Sequence, residues 1–135
     1  MRLFASCLTS CLTSCLAALV LPRAAAAQPL VLVNHVGYDV AGPKRAVVQG
    51  EKGDGVRSCA VQDAATGTRA AAADPRAVGP VARWRDWTYW TVDFSALQRE
   101  GEFRVACATS RGAVASSPFR IEKNVLERQT LSDVL

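Results

Sequence analysis

The chain has 135 residues and a formal net charge of +4. Its Lys and Arg residues are scattered among Asp and Glu and form no stripe, which excludes the electrostatic footprint of a nucleic-acid binder. The length suffices for one small packed domain and excludes a second.

Met1 to Ala27 reads as an export leader. Arg2 supplies the basic start, Leu3 to Leu21 is apolar and small, and Ala24-Ala25-Ala26-Ala27 offers small-residue cleavage sites. Cleavage after Ala27 leaves 108 of the 135 residues and, because Arg2 and Arg23 depart with no acid, a charge of +2. The mature protein is therefore expected to be secreted or periplasmic. Leu8-Thr9-Ser10-Cys11 and Leu12-Thr13-Ser14-Cys15 resemble the box before a lipidated cysteine. An anchor at Cys15 would strand the apolar run Leu16 to Leu21 beyond the lipid, so ordinary cleavage is the expectation. That run is also short for a membrane span, and no membrane attachment is expected after cleavage. Cys7, Cys11 and Cys15 leave with the leader, and export puts Cys59 and Cys107 where a disulfide persists.

The mature chain reads as short strands punctuated by turns. "LVLVNHVGY" opens with a β-branched run, and "RAVVQ" follows the Gly42-Pro43 break. "GEKGDG" is expected to form a hairpin-like loop; "RSCAVQD" alternates, "AATG" turns, and "TRAAAADP" pairs back as a weak edge strand. After Pro80 come "YWTVDF", "GEFRVACA" and "AVASSPFRI", with Thr109 to Gly112 turning between the last two. Seven strands at roughly ten-residue spacing predict an all-β fold, an immunoglobulin-like antiparallel sandwich. No segment before Glu122 has a helical period.

Alternation assigns faces. Phe103, Val105 and Cys107 point inward, as do Trp90, Val92 and Phe94, while Trp87, Tyr89, Thr91 and Asp93 point outward. Phe103 precedes Cys107 as an aromatic does in the sixth immunoglobulin strand, but lacks the hydroxyl of a tyrosine corner. Cys59 and Cys107 both fall on inward positions of strands that a sandwich places side by side. A bond and two buried thiols fit equally well.

Catalytic constellations are absent. His35 is the only histidine, no metal-ligand spacing surrounds it, and the Gly50 to Gly55 loop connects strands instead of opening a helix. Neither a metal site nor a cofactor is expected. Asp86 and Asp93 have the residue type of a glycosidase pair, but their odd separation puts them on opposite faces. Asp86 reads as a loop charge and Asp93 as a turn-forming acceptor near Ser95. "RWRDWTYW" at 83 to 90 holds all three tryptophans. Trp90 is core, whereas Trp84 and Trp87 sit in a loop before the strand, where no period buries them. With Tyr89 they form either a platform for pyranose faces or a contact with another part of the protein.

Four segments resemble, in order, the N-terminal immunoglobulin-like domain of glycoside hydrolase family 9, the cellulase or endoglucanase family. They are "VNHVGYDVAGPKRAVV" at 33 to 48, "VQDAATG" at 61 to 67, "YWTVDFSALQREGEFRV" at 89 to 105 and "SSPFRIEKNVLERQTLSDVL" at 116 to 135. Asn34, Gly37, Tyr38, Pro43, Lys44 and Arg45 match the most specific block; His35 stands where glutamine is usual. The resemblance implies that an (α/α)6 barrel follows and hydrolyses β-1,4-glucan with inversion, using an aspartate base and a glutamate acid. Those residues belong to the barrel, so none is assigned here. Residues 28 to 121 are then the sandwich, and residues 122 to 135 a linker with the barrel's start. Thr130-Leu131-Ser132-Asp133 reads as a capping box opening an apolar helical face at Leu131, Val134 and Leu135, as in the N-terminal fragment of a longer glycosidase. The expected partner is the catalytic barrel, with Trp84 and Trp87 touching it. The alternatives are an autonomous module that binds β-glucan through Trp84, Trp87 and Tyr89, and an exported partner-binding sandwich.

Overall fold

A computed structural model describes residues 27–132. The leader, the Asp133 end of the capping box, and Val134 and Leu135 lie outside the described residues. Ten strands are followed by one helix: β1 (Leu30–Leu32), β2 (Tyr38–Asp39), β3 (Arg45–Glu51), β4 (Val56–Asp63), β5 (Arg69–Ala73), β6 (Pro75–Val81), β7 (Trp84–Asp93), β8 (Gly101–Thr109), β9 (Gly112–Ala115), β10 (Phe119–Glu122) and α1 (Val125–Ser132). One sheet has the order β1-β3-β7-β6, and the other the order β2-β10-β8-β4-β5, with β9 also paired to β8. The two sheets face each other as an immunoglobulin-like sandwich. All pairs are antiparallel except β2 with β10, which run parallel.

The period-2 pattern builds the core. Val48, Trp90, Val92 and Phe94 come from the first sheet, and Val61, Phe103, Val105 and Ile121 from the second; all are buried. Tyr38 joins them, its ring edge-on to Phe94 and Phe119 with centroids 5.2 Å away in each case. Cys59 and Cys107 lie directly opposite on β4 and β8, inside this core, and are joined by a disulfide with Cα atoms 4.1 Å apart. The bond links neighbouring strands of one sheet and does not cross the sandwich.

Several elements differ from expectation, each for a local reason. The Gly50 to Gly55 segment is no hairpin, because β3 pairs with β1 and β7 while β4 pairs with β5 and β8. It arches between sheets, and Asp54 pins it by accepting from the Glu51 N–H and from Arg111 on the β8–β9 turn. "AVASSPFRI" is two strands, not one. Buried Ser116 breaks it by donating its N–H to the Val105 carbonyl and accepting the Val105 N–H on Oγ. An additional strand, β6, is present despite its prolines, as the edge of its sheet with register shifts around Gly79. β7 therefore begins at Trp84, so Trp84 and Trp87 are strand residues and not loop residues. The helix also starts before the Thr130 box, at Val125. Asn124 takes a left-handed φ of 54° and gives its N–H to the Asp39 carboxylate at 2.9 Å, and a tertiary anchor thus sets the helix start. No helix among the described residues is long and apolar enough to cross a membrane.

Candidate functional site

The residues from Asn34 to Arg45 form a strap that crosses from the first sheet to the edge of the second. Asn34 closes the turn: Oδ1 accepts the Val36 N–H, and the carbonyl accepts the Gly37 N–H. His35 is exposed on that turn. Gly37 has a φ of +101°, and a Cβ there would lie 2.7 Å from the Arg120 carbonyl oxygen, so only glycine lets the strap approach β10. Val125 of α1 packs against the same glycine. The Tyr38 hydroxyl donates to the Arg45 carbonyl at 2.7 Å and accepts the Asn34 N–H at 3.0 Å. Burial pushes its pKa up, opposed by the Asn34 hydrogen bond. Lys44 is fully buried and spends its Nζ on the carbonyls of Val40, Gly42 and, at longer range, Ser95. The motif residues are thus a folding device that pins the strap and the start of α1. Tyr38→Phe keeps the ring stacking but orphans one carbonyl and one N–H. A loss of about 1–2 kcal/mol is expected from urea unfolding.

The second arrangement is the outer face of the first sheet. Register places Leu30, Gln49 and Tyr89 in one cross-strand row and Leu32, Val47 and Thr91 in the next. Trp84, at the tip of the β6–β7 hairpin, leans on Tyr89 with ring centroids 6.1 Å apart. Together with Val78 and Val81 these side chains line a groove of about 480 Å³. Trp84 is 60% exposed, whereas Tyr89, cross-strand from Gln49 and under Trp84, is only 9% exposed. Tyr89 does point outward as alternation requires, but its neighbours cover it. Trp87 is half-buried on the same side, opposite Glu51.

At its other end this face is polar. Arg45, Arg76, Thr91 and Asp93 line a neighbouring depression. Asp93 accepts from the Ser95 N–H at 2.9 Å and from Arg45 Nε at 3.0 Å. The Ser95 hydrogen bonds first, and Arg45 after them, hold its pKa at about 2, below the ordinary 3.8. A depressed folded pKa means that this contribution is fully present above pH 4 and is lost as pH falls through about 2. Its 48% side-chain exposure limits the amount to about 1 kcal/mol or less. Asp93→Asn is expected to flatten the acid limb of the Tm profile, with wild type and variant converging near pH 2 in thermal melts.

The arrangement binds but does not catalyse. Asp86 is exposed near the tip of the hairpin and Asp93 ends the same strand in its ion pair, so the two carboxylates do not face each other across a cleft. No group of three or more His, Cys, Asp or Glu residues among the described residues is placed to hold a metal ion. Sequence reasoning missed Leu30, Leu32, Val78 and Val81 on the outer face. The alternation in "LVL" was a signal for the first two; the Gly79 irregularity hid the others.

Two facing sheets, an all-β core and a helix leaving from the edge define an immunoglobulin-like module. Residues 26–111 match the cellulase N-terminal Ig-like domain, and the chain belongs to that family. Two solved structures are similar. The Bacteroides ovatus GH9 protein shares 26% identity with a TM-score of 0.55 over 73% of this chain and 16% of its own. A metagenome-derived glycoside hydrolase family 9 endoglucanase shares 24% identity with a TM-score of 0.55, over 70% of this chain and 18% of its own. The chain thus spans less than a fifth of either. Among curated proteins none matches it.

Proposed function

We propose that this chain is the non-catalytic immunoglobulin-like module of a secreted family 9 glycoside hydrolase, and that it supports a catalytic domain acting on β-1,4-glucan. The family match carries this reading, since the structural neighbours are family 9 proteins in which the matching part is 16–18% of the chain. Two further observations support it. The chemistry of glycoside hydrolysis needs two carboxylates flanking a bond, and Asp86 and Asp93 are not so placed. The Cys59–Cys107 disulfide suits a compartment outside the cytoplasm, in keeping with an export leader. The test is the intact mass of the native protein, recovered from the medium or periplasm with an antibody to residues 28–135. A mass several times the 14.4 kDa of this chain is expected. A mass matching the leaderless chain alone would refute the reading.

A further inference from the structure

Six large apolar side chains among the described residues are exposed, and five of them, Leu30, Leu32, Val78, Val81 and Trp84, lie on the outer face of the β1-β3-β7-β6 sheet. Their exposures run from 44% to 60%. Such clustering on one face marks a contact surface, whereas scattered exposed leucines would not. The outer face of the other sheet differs in kind, for Ala60, Ala106, Ala108 and Ala113 give it little to grip.

We infer that the outer face of the β1-β3-β7-β6 sheet is the surface on which the catalytic domain of the same polypeptide sits. The inference rests on the proposed function and adds to it the place of contact. Three observations select this occupant. First, the groove is aliphatic, with Gln49 and Thr91 as its polar side chains beside Tyr89, and Tyr89 is covered. A sugar chain needs an open aromatic face and partners for its ring of hydroxyls; the apolar side chains of a protein need neither. Second, an apolar centre flanked by Arg45, Arg76 and Asp93 repeats the centre-and-rim anatomy of protein interfaces. Third, the route is short. α1 starts against Gly37, and Leu126 shares a pocket with Gly42 and Pro43, two residues before Arg45 opens the polar end of the face. A domain that follows α1 begins beside this surface. Interdomain contacts of about 600–1,500 Å² are ordinary, and a face of this kind supplies one side of such a contact.

The test uses the full polypeptide carrying Leu32→Glu with Val78→Glu, a second variant with Trp84→Asp, and Ala113→Glu on the opposite sheet as control. All four positions are partly or fully exposed, so near-UV circular dichroism of the module should be unchanged. The first two variants are expected to lower the Tm of the catalytic domain by roughly 3–5 °C, and to speed proteolytic separation of the two parts about tenfold. The control should do neither. Wild-type behaviour in both face variants, or an equal effect from the control, overturns the inference while leaving the proposed function standing. An intact mass matching this chain alone removes the occupant, so the proposed function and the inference both fall. Loss of retention on insoluble β-glucan in Trp84→Asp, with no Tm shift, would make the face a sugar platform and overturn the inference too.

Discussion

Reduction of the Cys59–Cys107 bond is expected to lower the unfolding free energy by about 4 kcal/mol, the loop-entropy value for the 48-residue separation it closes. The reason lies mainly in the unfolded chain. In the folded state β4 and β8 are already neighbours, aligned over Val61↔Val105, Ala60↔Ala106 and Cys59↔Cys107, so the bond holds together strands that the ladder holds anyway. In the unfolded state it fastens β4 to β8 across the whole of β5, β6 and β7, which span both sheets. That constraint removes open conformations before folding begins. Urea titration with and without a phosphine reductant isolates the effect, since the sequence is unchanged. The midpoint should fall, and the m-value should rise because the reduced unfolded chain is less compact. Cys59→Ala with Cys107→Ala should behave like the reduced protein, less a small packing loss where the two sulfur atoms were buried. Identical midpoints in the oxidised and reduced protein would show that the unfolded chain is held compact by something other than this bond.

The same register explains what the sequence could and could not reveal. Trp90, Val92 and Phe94, like Phe103 and Val105, were legible because each strand has one buried face and a period of two allows one assignment. Tyr89 shows the limit of that logic. Its direction follows from alternation, but its burial follows from Trp84, which reaches it only because β6 and β7 pair up to the Val81↔Trp84 row. β6 itself was hidden by Pro75, Gly79 and Pro80, residues that break a central strand and are tolerated at an edge with irregular register. The start of α1 was illegible for a different reason. A local capping signal competes with an anchor 85 residues away in sequence, the Asp39 carboxylate on the Asn124 N–H, and the anchor wins. The motif from Asn34 to Arg45 was recognisable as a family signature without its purpose being visible. Its residues act by backbone contacts with β10, β7 and α1, which no spacing in the sequence encodes.

Lys44→Met should cost about 3 kcal/mol, more than any other single change within that strap. The lysine stem is fully buried, and its Nζ gives hydrogen bonds of 2.7 Å and 2.9 Å to the Val40 and Gly42 carbonyls, with Ser95 O at 3.5 Å. Its backbone N–H reaches the Ser95 hydroxyl at 2.9 Å, and its carbonyl accepts the Phe94 N–H at 3.0 Å. One residue therefore ties the β2–β3 turn to the turn that leaves β7. Methionine keeps the apolar stem and most of the volume, so packing is nearly conserved and the loss isolates the amino group. The carbonyls of Val40 and Gly42 belong to half-buried residues, and water will recover part of their hydrogen bonding, which keeps the cost near 3 and not above 5 kcal/mol. Lys44→Arg is expected to give no rescue, because a planar fork cannot occupy a cage shaped for a compact tetrahedral donor. The urea midpoint should fall with an unchanged m-value, and amide exchange should report where the damage lies. Faster exchange at Gly37, Gly42 and Asn124, with β4 and β8 still protected, would mark Lys44 as the pin of the strap and of the start of α1. Exchange that rises equally in every strand would mean that the lysine stabilises the sandwich as a whole, and the motif would then be a core element with no special bearing on how the helix departs.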